Sequence, residues 1–324
     1  MRTRRLRDFG HTIGILAPGP HNAITDVPGV LVGQTTVIDE ARDVYSGVTA
    51  IVPPELPTAA GLFVGNGYGK LVGATQLQEL AELETPILLT STLNTFRVAD
   101  SLLSWLLDRA PEPLTSVNPV VGEVNNGWLS TGDPRPVTGE HVYAALDGAA
   151  DGPVEMGNVG GGAGACALGF KAGIGSASRQ VALSDCELTV GVLVQANMSG
   201  HLRLLGKTFA PAPEQPADEG SCVVVVALDL PCNPRQLERI AARGVFALGQ
   251  VGAAFSQGSG DYGLAFSTIP DPAPRTLEPA DLDRVFAGVL EAVEEAVIDA
   301  LLAADTVRTS LGRQALALPY ELLG

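Results

Sequence analysis

Ser221 is the residue whose type and place could make it a nucleophile. It stands in Asp218-Glu219-Gly220-Ser221-Cys222-Val223-Val224-Val225-Val226-Ala227, where a polar loop rich in proline and acid meets a β-branched run. Valine is stiff at χ1 and fits a pleated, buried surface, so residues 222–228 are expected to form a strand buried on both faces. A serine where a loop enters a sheet has its hydroxyl held by rigid backbone yet open to a cleft. The same place suits a plain turn residue, and spacing alone does not separate the two readings. A second polar group, Gly258-Ser259-Gly260-Asp261, stands before Leu264-Ala265-Phe266-Ser267-Thr268 and taken alone is a turn before a strand. No Gly-x-Ser-x-Gly elbow occurs. Among His11, His21, His141 and His201, His201 alone stands near a candidate serine, Ser199, so a Ser-His-Asp hydrolase has little support.

The elements that must position these residues follow from hydrophobic periodicity. Residues 30–37 and 47–53 are expected strands that could pair as a hairpin. Residues 65–69 are expected to form a loop entering a helix over 70–83, followed by a buried strand from Pro86. A helix capped at Asn94-Thr95 should run to about residue 107, with Val98, Leu102, Trp105 and Leu106 on its buried face. A short helix is expected over 140–146. Residues 157–164 are too glycine-rich for regular structure. Their tail, Gly162 to Ala167, fits G-x-G-x-x-A formally, but no alternating strand precedes it and no acid follows at the required distance, which argues against a dinucleotide site. A strand over 187–197 ends in polar groups, Pro234 opens a helix to about 249, and residues 261–268 form another strand. Residues 281–304 form a long amphipathic helix, expected to pack on its own sheet rather than on a coiled-coil partner. No clean linker or repeat appears, so the chain is read as one α/β domain; pattern alone does not exclude an ordinary three-layer fold.

Composition bounds the function. The 324 residues carry a formal charge of −16, with no basic stripe, which argues against nucleic acid and anionic membranes. Aromatics are 5% and hydrophobics 46%, so the core must be built from Ala, Val and Leu. Cys166, Cys186, Cys222 and Cys232 make no C-x-x-C pair and the histidines are scattered, so no zinc or haem site is expected. Cys166 and Cys222 are expected to be buried free thiols. The basic start lacks an apolar stretch behind it, and no run is long enough to span a membrane; with free cysteines this points to the cytoplasm.

The ordered set of motifs resembles the DmpA-type aminopeptidases (peptidase family P1, the L-aminopeptidase/D-esterase and β-aminopeptidase relatives). It comprises residues 22–33 (from Asn22 through Asp26 and Gly29 to Gly33), Gly157-Asn158 to Gly164, Phe170-Lys171 to Arg179, Gly220-Ser221 with its aliphatic run, and Gly258 to Thr268. The resemblance implies a four-layer α-β-β-α sandwich of the DmpA/ornithine-acetyltransferase type. It also implies a chain that cuts itself between Gly220 and Ser221 into an α subunit, 1–220, and a β subunit, 221–324. Ser221 would then be an N-terminal nucleophile whose own α-amine, with a pKa of roughly 7.7–8.0, serves as base. Gly220 has no Cβ to obstruct an N→O acyl shift and tolerates a strained backbone. By the same resemblance, Ser259 bonds the Ser221 amine or hydroxyl and Asp261 holds the protonated form. Asn197 is the side-chain oxyanion donor, and Glu123 grips the free amine of the substrate. Family members commonly place a tyrosine where this chain has Trp128, so Trp128 donates from another position or only shapes the pocket. The implied activity releases an N-terminal amino acid from short peptides, amides or esters, without metal or cofactor, in an oligomer of αβ units, often a tetramer. An acyltransferase of the ornithine acetyltransferase type is an alternative, disfavoured because that family uses a threonine in a different motif. An unprocessed amine-binding protein is another.

Overall fold

The computed structural model describes residues 2–209, 220–269 and 276–323. The expected polar loop over 211–219 lies outside the described residues. Ten strands form two sheets. The first sheet holds β1 (Leu31–Asp39), β2 (Val44–Val52), β5 (Ile87–Ser91) and β6 (Val120–Val124) in that order. The second runs β4 (Glu82–Leu83), β3 (Thr58–Gly67), β10 (Gly260–Ser267), β9 (Ser221–Leu228), β8 (Glu187–Asn197) and β7 (Ile174–Ala182). β1 and β2 form the expected antiparallel hairpin. β9 is antiparallel to β8 and parallel to β10, so it sits at the centre of its sheet.

Each sheet has one face on the other and one face under helices. Ile51, Ile87, Leu89 and Val120 of the first sheet share a cluster with Leu193, Val223, Val225, Leu264 and Phe266 of the second. On the outer side of the first sheet, Val48, Ala50, Leu88 and Val121 meet α2 (Thr95–Arg109) and α3 (Gly139–Asp147) through Val98, Leu102, Val142 and Ala145. On the outer side of the second, Val192, Val194, Val224 and Val226 meet α4 (Pro234–Leu248) and α5 (Pro279–Leu302). The layers are therefore α-β-β-α, as expected. β9 shows the cause most clearly. Its even positions, Cys222 to Leu228, pack under the helices and its odd positions, Val223 to Ala227, pack between the sheets. Each fully buried valine contributes roughly 1.5–3 kcal/mol.

Several elements differ from expectation. β3 extends through residues 65–67, which were expected to be loop, and β7 runs through the second half of the motif that begins at Phe170. The helix expected over 70–83 contracts to α1 (Ala74–Leu80), because Val72 pairs with Val121 at the edge of β6 and Ala81 turns left-handed, φ 54. Asn94 does not cap α2 with its side chain; its amide instead donates to Ser91 Oγ at 2.7 Å. Trp105 is half-buried and donates to Asp147 Oδ1 at 2.8 Å. The segment after Asn197 carries a small hairpin, Leu202–Leu204 with Lys207–Phe209. Cys166 is half-buried, while Cys222 is buried. Among the described residues no helix is long and apolar enough to cross a membrane, and no group of three or more metal-ligating side chains could hold an ion.

Candidate active site

Ser221 is the first residue of β9, and the strand pairings on both sides place it. Its Cα partner across β8 is Asn197 and across β10 is Gly260. Ser221 Oγ accepts the Gly260 N–H at 3.3 Å. The serine is 4% exposed, between the sheets at the open end of the strand. The residue before it, Gly220, is buried against the turn after β8. A Cβ there would lie 2.8 Å from Met198 Cα and 2.9 Å from Ser199 N, both backbone atoms that cannot swing aside. Its φ is not left-handed, so close approach rather than backbone strain selects glycine at this position.

The companions of Ser221 come from three elements. Ser259 Oγ donates to Asp261 Oδ1 at 2.8 Å, while Asp261 Oδ2 is buried with no partner. Burial pushes the Asp261 carboxyl up to about 6, and the Ser259 hydroxyl opposes that rise. Burial and the Asp261 charge together push the Cys222 thiol well up, which leaves that neighbour a neutral, unreactive group. Asn197 Oδ1 accepts the Cys166 N–H at 2.9 Å, which leaves its Nδ2, buried and unpartnered, as a free donor beside Ser221. Because a backbone N–H can bond only the oxygen, this contact fixes which way the amide points.

Glu123 lies on β6, the edge strand of the other sheet, and is 2% exposed. Its Oε1 accepts the Lys70 N–H at 2.9 Å and lies 3.6 Å from Lys70 Nζ, while Oε2 is buried and unpartnered. Residues 67–70 bridge the two halves: Tyr68 N–H donates to Ser259 O at 3.2 Å, two residues before the Lys70 N–H that bonds Glu123. Tyr262 sits between Glu123 and Asp261; burial first, then these two carboxylates, push its hydroxyl up. Trp128 is half-buried and packs against the cluster of Tyr45, Leu129, Val307 and Ala315; Cys166, whose N–H holds Asn197, packs against the same cluster. The glycine-rich stretch is tied by its backbone to a strand of each sheet. Gln195 Nε2 donates to Gly161 O at 2.7 Å, and Thr49 Oγ1 accepts the Gly161 N–H at 3.1 Å.

The structure thus gathers Ser221, Ser259, Asp261 and Asn197 at adjoining ends of β8, β9 and β10, and sets Glu123 across from them. Three of the five carry a buried polar atom without a partner, the condition of a site built for a polar ligand. Asn22 and Arg179, from two other motif stretches, are structural. Asn22 Nδ2 donates to Glu295 at 2.7 Å, and Arg179, fully buried, pairs with the same carboxylate at 2.7 Å. Lys70 and Tyr262 escaped the sequence reading. A lysine directly after a glycine loop and a tyrosine inside a strand carry no local signal; only the fold brings them to Glu123.

Known proteins resemble the chain in both sequence and shape. The family model described as peptidase family S58 matches residues 22–315. A β-peptidyl aminopeptidase, BapA, of Sphingosinicella xenopeptidilytica is 37% identical, over 94% of this chain and 87% of its own. The solved β-aminopeptidase of a Burkholderia species superposes with a TM-score of 0.90 at 36% identity, covering 100% of this chain and 97% of its own. The L-aminopeptidase D-Ala-esterase/amidase of Ochrobactrum anthropi, described as a prototype of the serine aminopeptidases and a variant of the Ntn hydrolase fold, superposes at 0.89 with 34% identity, covering 98% and 96%. With the match spanning both sheets and every strand that meets at Ser221, the chain belongs to peptidase family S58, the family of the DmpA-type aminopeptidases.

Proposed function

We propose that this aminopeptidase cuts itself between Gly220 and Ser221, and that the freed Ser221 is its nucleophile. The observation that carries the reading is the place of Ser221: first residue of a central strand, hydroxyl held by Gly260, with the free donor of Asn197 in register beside it. In the continuous chain Ser221 Oγ attacks the Gly220 carbonyl and the amide becomes an ester. Water then hydrolyses the ester, leaving a Gly220 carboxylate and a Ser221 α-amine. During turnover that amine accepts the Oγ proton as Oγ attacks the substrate carbonyl. Asn197 Nδ2 donates to the oxyanion, an interaction of about 2.7–4 kcal/mol. The leaving amine or alcohol departs with the proton, and water releases the amino acid from Ser221. Asp261, buried and steadied by Ser259, balances the charge of the protonated Ser221 amine. Glu123 Oε2 accepts the substrate ammonium.

The substrates are short peptides, amino-acid amides and esters with a free amine. The relatives bring peptides that begin with a β-amino acid into that range. The protein acts in the cytoplasm, as an oligomer of αβ units. Both fragments remain joined after the cut, because β9 and β10 are inserted between β3 and β8 of the first fragment. The test is Ser221→Ala, which should leave one 324-residue chain without hydrolytic activity. A variant that still splits at 220–221, or still turns over, overturns the reading.

A further inference from the structure

We propose that Lys171 is a positioning residue for the oxyanion donor: its ammonium fixes the hairpin that presents Cys166 N–H to Asn197 Oδ1, and so aims Asn197 Nδ2 at the reacting carbonyl. This rests on the reading of Asn197 given above. Lys171 is 0% exposed. Its Nζ donates to Ala172 O at 2.6 Å and to Gly162 O at 3.4 Å. These carbonyls belong to the segments on either side of Cys166, so the ammonium ties the glycine-rich turn to the strand that follows. Cys166 is the direct partner of Lys171 across a hairpin, Cys166–Ala167 with Phe170–Lys171.

The hairpin does not hold its shape by local preference. Its two turn residues are Leu168 at φ 53 and Gly169 at φ 90. Two positive φ values in a two-residue turn suit Asn-Gly, and a leucine there is strained. Tertiary bonds maintain it. Met198 N–H donates to Cys166 O at 3.0 Å and Leu168 N–H to Met198 O at 2.8 Å, so the hairpin lies along the chain just after Asn197. An apolar side chain of similar volume would avoid the cost of burying a cation. A buried cation bonded to carbonyls around Cys166 therefore calls for a reason, and the geometry of Asn197 supplies one.

The charged and titratable groups acting on Lys171 are Cys166, whose thiol burial pushes up to about 11, and Asp305. Burial brings Lys171 itself down to about 8, so the ammonium is lost as pH rises through that value while Cys166 stays neutral.

The experiment compares Lys171→Met with the parent enzyme, using two inhibitors. An amino aldehyde adds Ser221 Oγ to its carbonyl and places an oxyanion at Asn197; the matching amino alcohol cannot be attacked. The expected result is an aldehyde Ki raised tenfold or more, an amino-alcohol Ki within about twofold, and a lower kcat with KM retained. Equal weakening of both inhibitors, or of neither, overturns the proposal. If Lys171→Met does not fold, the parent enzyme decides: kcat should fall as pH passes about 8. A kcat that stays level to about pH 9.5 overturns it. The Ser221 amine gives the opposite slope, because it must be neutral to act as base, and failure of the nucleophile reading shows separately as an active Ser221→Ala variant.

Discussion

Replacing Asp261 by Asn in the uncut Ser221→Ala chain should reveal a carboxylate that destabilises the fold at neutral pH. The Asp261 carboxyl titrates at about 6 in the fold, against an ordinary 3.8, because burial disfavours its charge. Below pH 3.8 both folded and unfolded chains hold the proton, and its stabilising effect is complete. As pH rises toward about 6 the unfolded chain ionises first, and stability falls until the folded group ionises too. A shift from 3.8 to about 6 corresponds to about 3 kcal/mol. Asn cannot titrate. Its amide brings its own cost, because the atom replacing Oδ2 has no partner, but that cost does not change with pH. The stability difference between the Asn and Asp chains should therefore move by about 2.4 kcal/mol in favour of Asn between about pH 4 and pH 7.5, most of that full amount. Chemical denaturation at a series of pH values measures it. A difference that stays constant across that window would show that burial does not raise the Asp261 carboxyl. In the processed protein the Ser221 ammonium arises one residue from the Cys222–Asp261 pairing, so the same comparison there should show a smaller change.

Three other outcomes follow from named contacts. Glu123→Gln should raise KM for substrates with a free amine and spare N-acylated esters; equal loss for both would show that Glu123 does not read the amine. Asn197→Ala should lower kcat by about 10²–10³, the effect of one oxyanion donor, with the processing rate falling in parallel; an unchanged kcat removes Asn197 from the site. Arg179→Met breaks a fully buried pair with Glu295 and should cost about 3–5 kcal/mol of stability while leaving kcat per folded molecule unchanged. Denaturation and active-site titration together check it.

The parts of the fold legible in the sequence were those whose packing is written in side chains. The valine run after Ser221 announced a strand buried twice over, and the polar end of the strand at Asn197 lies in register with it. β3 was not legible because its Leu62-Phe63-Val64 run is short and flanked by Ala59-Ala60-Gly61 on one side and Gly65 and Gly67 on the other. It is a strand because it pairs along β10, and its small residues let α4 lie directly on it: a Cβ at Gly61 would meet Glu238 N at 2.1 Å. Nor could spacing show that the Lys70 N–H is taken by Glu123, which keeps residues 70–72 out of the helix their leucine pattern suggested. For the site, the resemblance supplied residue types; the fold supplied the unpartnered atoms of Asn197, Asp261 and Glu123, which exist only once three strands and a loop have met.

The chemistry depends on a free Ser221 amine, and the intact mass of the purified protein under denaturing conditions reports whether it exists. Two fragments, 1–220 and 221–324, that separate only on denaturation are expected. A single uncut chain with full aminopeptidase activity would contradict this chemistry, since Ser221 N would then be an amide unable to accept a proton.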